Sequence, residues 1–139
     1  MLDVDTIVRL KIISATMPPE AITEAVGLPC DMCLRMGEPR VPGAGILAKD
    51  NEWLLHSGLP KSATFQQHVN TMLDLVEGSR HAIRRLSETE TVEFSIVMYC
   101  RESPDTHLDH EAVARIAALG ASIDIDLYFL PARGSFEGT

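Results

Sequence analysis

Apolar and polar residues alternate in three stretches of this chain and recur at three- and four-residue steps in others. Over 6–13, Val8, Leu10 and Ile12 fall on one face, while Arg9 and Lys11 share the other with Ile7 and Ile13. That period of two predicts a first strand. It is clearest over 91–100, where Val92, Phe94, Ile96, Met98 and Cys100 oppose Glu93, Ser95, Val97 and Tyr99. The third alternation sets Ile123, Ile125, Leu127 and Phe129 against Asp124, Asp126 and Tyr128, and Pro131 ends it. Each strand should pack one side and wet the other. The three apolar rows together are the expected core.

Helical spacing fills the gaps between the strands. Pro18 and Pro19 suit a helix start, Ile22, Ala25 and Val26 would turn inward, and Gly27 suits the left-handed position past the end. The longest helix is expected over 62–87, because Phe65, Val69, Met72, Leu73, Val76, Ile83 and Leu86 keep three- and four-residue steps. Gly78 would kink it. A last helix should begin at Asp109 as its N-cap and stop at Gly120. Between these, 29–45 is rich in Pro and Gly and reads as an irregular connection. The arms 46–49 and 52–57 flank Asp50-Asn51 as a hairpin, with Trp53 and Leu55 on one face.

The resulting order is strand, helix, hairpin, helix, strand, helix, strand. Its first six elements match the ferredoxin-like β-α-β-β-α-β arrangement, with an α-β unit added at the C-terminus. The expected class is α+β: one two-layer domain over 1–131, helices on one face of a mainly antiparallel sheet, and a loose tail over 132–139.

Composition narrows the partners. The chain has 139 residues, a normal size for one domain, and carries 20 acidic against 12 basic side chains, a formal charge of -8. Such a charge repels a phosphate backbone, so nucleic acid is not expected as a partner. No apolar run reaches the roughly 18–20 residues of a membrane span, and the first residues lack the features of a signal peptide. A cytoplasmic location without membrane contact is therefore expected, and three cysteines, an odd number, suit a reducing compartment.

Few residue groups carry a chemical signature. Cys30-Asp31-Met32-Cys33 spaces two thiols for one metal ion or a reactive pair, yet follows a helix stop rather than preceding a helix, and no second such pair completes a zinc shell. No metal and no cofactor are expected. His107 and His110 lack the glutamate of a metalloprotease helix, and Gly43-Ala44-Gly45 lacks the lysine of a nucleotide loop. Arg80, Arg84 and Arg85 sit where cations suit a helix C-terminus; phosphate binding there is the less favoured reading. Asp124 and Asp126 share one strand face beside Tyr128, placed for divalent-ion or acid–base work, or simply for a wet face matched by Arg9 and Lys11.

Several landmarks together resemble the family catalogued as domain of unknown function 4279, small bacterial proteins without an assigned activity. They are the proline-initiated first helix closing in Val26-Gly27-Leu28-Pro29, the Arg35-Met36-Gly37-Glu38 turn, the Trp53 strand, the long amphipathic helix and the closing Ile123-Asp124-Ile125-Asp126-Leu127-Tyr128. The resemblance spans almost the whole chain and implies no catalytic residue. The expected function is a non-enzymatic module that binds another protein, such as an inhibitor or immunity-type partner, through the open sheet face or the 29–45 segment. Trp53, Asp124, Asp126, Tyr128, Arg35 and Glu38 are its candidate binding residues. The alternative is an enzyme or metal-binding domain built on the Asp124 and Asp126 face, with Cys30 and Cys33 as lesser metal candidates.

Overall fold

A computed structural model describes residues 3–43 and 45–131. In chain order the elements are β1 (Val4–Ser14), α1 (Pro19–Val26), β2 (Met32–Leu34), β3 (Asn51–His56), α2 (Phe65–Leu75), a 3-10 turn (Glu77–Ser79), α3 (Arg80–Leu86), β4 (Thr91–Cys100), α4 (His110–Ala118) and β5 (Ser122–Phe129). The class is α+β, with four α-helices and an open five-stranded sheet in the order β2-β3-β1-β4-β5. Every neighbouring pair is antiparallel except β4 and β5. The expected tail over 132–139 lies outside the described residues.

β1 is the middle strand of the five, paired with β4 over Val4–Ile13 and with β3 over Arg9–Ser14. Leu10 is flanked by Leu55 on β3 and Phe94 on β4. This register puts Val8, Leu10 and Ile12 in line with Phe94, Ile96 and Trp53, all of them at most 1% exposed. Ile22 and Val26 of α1, Val69 and Met72 of α2, and Ile83 of α3 close over that face, forming one continuous core. Ala25, expected inward, is exposed. Gly27 takes φ 81° and its N–H bonds the Thr23 carbonyl at 2.8 Å, ending α1 where a residue with a Cβ would be strained.

The long helix expected over 62–87 is two helices. Thr64 caps α2 through a reciprocal capping box with Gln67, and α2 stops at Leu75. The chain then tightens through Glu77–Ser79, around Gly78, before α3 begins. Both halves still bury their apolar stripes, so the periodicity was informative while the continuity was not. Asp109 caps α4 as expected, accepting from the Ala112 N–H at 2.8 Å.

Two expectations about strand pairing are corrected. The arms 46–49 and 52–57 do not form a hairpin; β3 pairs with β1 on one side and β2 on the other. The segment 29–45, read as irregular, contains β2 and then pairs with the first of those arms, Pro39 bridging Leu47 and the Ala48 N–H bonding the Glu38 carbonyl. Turn residues mark where a chain can reverse, but burial decides which strands meet.

The second correction concerns β5. Ile123, Ile125, Leu127 and Phe129, expected in the core, are 41%, 41%, 40% and 69% exposed. Alternation survives: each pairs in register with a buried residue of β4, Ile125 beside Ile96 for example. The helices gather over β1, β3 and β4, however, and α4 leans on α2. The apolar side of β5 therefore projects beyond its cover. Among the described residues, no helix is long and apolar enough to cross a membrane.

Candidate functional site

The outermost strand combines three properties that a buried strand lacks. Ser122–Phe129 is exposed along its whole length, it is hydrogen-bonded to β4 on one side, and its other edge ends the sheet. Among the described residues no strand pairs with that edge, whose alternate backbone N–H and C=O groups can receive an incoming strand. The residues 122–129 contain no Pro, Lys or Arg, the side chains that commonly blunt such edges.

The two faces of β5 differ in chemistry. On the helix side runs the apolar row of Ile123, Ile125, Leu127 and Phe129. On the opposite side stand Asp124, Asp126 and Tyr128, all exposed as the alternation requires. Tyr128 stacks on its register partner Tyr99, with ring centroids 5.3 Å apart and planes 19° from parallel. This contact fixes the aromatic end of the strand.

Negative charge predominates on this face of β4 and β5. The expected match to Arg9 and Lys11 does not form, because Ser95 lies between Asp124 and Arg9, and Glu93 lies between Ser122 and Lys11. Neither aspartate makes a salt bridge among the described residues. Burial pushes the Glu93 carboxyl above its usual range, and Asp124 adds to the shift, with Asp126 and Glu52 contributing less and Lys11 opposing. Three carboxylates thus share one side of the β4–β5 pair.

The remaining candidates lie elsewhere. Trp53 is 0% exposed and its indole N–H donates to Thr23 Oγ1 at 3.0 Å, so it anchors α1 to β3 and offers no surface to a partner. Arg35 and Glu38 stand 3.8 Å apart beyond β2, at the far edge from β5, and Arg35 also pairs with Glu20 of α1. The six candidates therefore separate into a core residue, a loop pair at one edge and the β5 face at the other.

Cys30 and Cys33 are free thiols, half-buried and exposed. They touch, and burial together with Cys30 and Glu38 pushes the Cys33 thiol up. A raised pKa keeps it protonated, the reverse of what a reactive thiol needs. Among the described residues, no three His, Cys, Asp or Glu side chains gather closely enough to hold a metal ion. Asp124 and Asp126 present exposed negative charge on this face.

Two polar arrangements had no signature in the sequence. Arg40 reaches from the 38–48 turn to Glu52, which is 6% exposed, and so neutralises a nearly buried carboxylate. Ser57 and His68, eleven residues apart, meet in the interior. Only the fold joins them.

A family model for a domain of unknown function, DUF4279, matches residues 5–130. No curated protein and no solved structure matches the chain.

Proposed function

We propose that this chain, which belongs to the DUF4279 family, is a protein-binding module that receives an extended segment of its partner along the free edge of β5. The observation that carries this reading is the exposure of all eight residues of that strand while its apolar row keeps 40–69% of its surface in water. Strand addition would use the unpaired backbone groups for affinity and the two faces for selectivity. A partner strand with aliphatic side chains toward Ile123, Ile125 and Leu127 and Lys or Arg toward Asp124 and Asp126 complements both faces. Self-pairing about Ile125 or Asp126 would instead set carboxylate against carboxylate, which is unfavourable across a strand pair. An inhibitor or immunity-type role suits such a surface, since a small acidic domain can cap an exposed basic strand of another protein.

The finer architecture belongs to the same reading. The strand order β2-β3-β1-β4 with antiparallel neighbours supports a ferredoxin-like core, to which α4 and β5 are added. On that reading the docking strand is the addition, and the core supports it.

The test uses a synthetic peptide of alternating valine and lysine, its valine–glutamate counterpart, and hydrogen exchange of the protein's amides. The lysine peptide should slow exchange in residues 122–129 and bind more weakly as salt rises. Leu127→Lys should abolish that protection with the melting temperature retained. Equal binding of the glutamate peptide, or protection confined to other elements, would overturn the proposal.

A further inference from the structure

The helical layer holds a feature unrelated to β5: a cleft of about 400 Å³ between the α2–α3 bend and α4. Its floor is apolar, formed by Leu73, Val76 and Leu119, each at most 3% exposed, together with Ala118. Its rim carries one carboxylate, Glu77, among mostly cationic side chains. Arg80, His81 and Arg84 come from α3, and Arg115 faces them from α4. Arg80 and Arg84 are four residues apart and so project from one side of the helix.

We propose that this cleft binds a small amphipathic carboxylate, its apolar body on the Leu73, Val76 and Leu119 floor and its head group at Arg84. The charges at the rim select that position. Arg115 is shared by Asp74 at 3.1 Å and Glu77 at 3.2 Å, and Arg80 meets Glu77 at 3.0 Å. Arg84 alone of the three has no carboxylate partner among the described residues; its guanidinium donates to Ser87 Oγ at 3.0 Å. In a chain of formal charge -8 this is a local excess of positive charge above an apolar floor.

Arg84 is also held in place. A Cβ on Gly120 would stand 2.9 Å from its Nη1, so the absent side chain at the end of α4 makes room for the guanidinium. The helix dipole accounts for cations at the end of α3, including Arg85, which does not line the cleft. Arg115 lies in the last turn of α4 and is accounted for in the same way; the dipoles do not account for the apolar floor that these side chains surround. A volume of this size lies within the range of small-molecule sites, and a guanidinium fork matches the two oxygens of a carboxylate.

Decanoate, decanol and acetate distinguish head from tail. Decanoate should perturb the amide resonances of residues 73–84 and 115–120, whereas acetate and decanol should each bind at least about tenfold more weakly, the loss expected when a charged hydrogen bond or most of the apolar contact is missing. Arg84→Gln, a change at an exposed position, should weaken decanoate by about tenfold while leaving decanol unchanged. Ala118→Leu, which fills the cleft from its open side, should weaken both. Equal affinity for decanol and decanoate, an unaltered response in Arg84→Gln, or perturbations outside the cleft would each overturn the proposal. Since no β5 residue takes part, these outcomes are independent of the strand-docking test.

Discussion

Ser57 Oγ lies 2.7 Å from His68 Nδ1, a hydrogen bond that ties the chain leaving β3 to the buried side of α2. The Leu59 N–H donates to the same oxygen at 3.3 Å. His68 is 1% exposed, and its Nε2 completes no hydrogen bond. Burial pushes the imidazole below its ordinary pKa; the Pro60 carbonyl favours the charged form but falls short of a full bond.

Stability should therefore depend on pH through His68. With the folded pKa below the unfolded value of 6.5, the unfolded chain takes up the proton first as pH falls. The contribution is complete above about pH 6.5 and is lost progressively below it. Urea titrations from pH 7.5 to 5 should give a falling unfolding free energy, and His68→Gln should flatten that slope while lowering stability at neutral pH. An identical slope in the variant would place the titration elsewhere.

Phe94 and Ile125 separate the packed part of the sheet from its projecting edge. Phe94 is 0% exposed at the centre of the core, so Phe94→Ala should cost about 3–5 kcal/mol. Ile125 alternates in the same sense but stays 41% exposed, and Ile125→Ala should cost below about 1 kcal/mol. Chemical denaturation of both variants measures the contrast.

Gly120 is constrained twice. Its φ is 70°, a region that side chains other than glycine rarely adopt, and an added Cβ would stand 2.7 Å from Ser87 Cβ. Gly120→Ala should destabilise by about 1–3 kcal/mol, chiefly through backbone strain and displacement of the α3 terminus. Gly78, where a Cβ meets nothing within 4 Å, supplies the control. Gly78→Ala should be neutral or slightly stabilising in the same melting experiment.

The acidic side of β4 and β5 should tolerate loss of charge. Asp124→Asn with Asp126→Asn removes two exposed, unbridged carboxylates and should change stability by less than about 0.5 kcal/mol. Glu93→Gln should stabilise slightly at neutral pH, by at most about 1 kcal/mol, because its ionised form is disfavoured by burial and by Asp124. The sign follows from the raised folded pKa: the wild-type cost appears as pH rises through the unfolded value near 4.5 and persists above the folded one. Thermal melts at pH 4 and pH 7 should show the gain only at the higher pH.

Much of the chain was legible as a sequence because its signals are local. The period of two in β1 and β4, the stripe of α2 and α3, the stop at Gly27 and the cap at Asp109 depend on residues within a few positions of one another. Alternation likewise determined that Asp124 and Asp126 would share a face opposite Ile123 and Ile125. It could not determine whether either face is covered. Coverage of β5 depends on how far α4 reaches across the sheet, and pairing of β3 depends on which distant strands bury Trp53. The meeting of Ser57 with His68 and the convergence of Arg84 with Arg115 are likewise products of packing between elements. Hydrophobic pattern sets which side of an element seeks cover, whereas the limited area of the helical layer decides which side receives it.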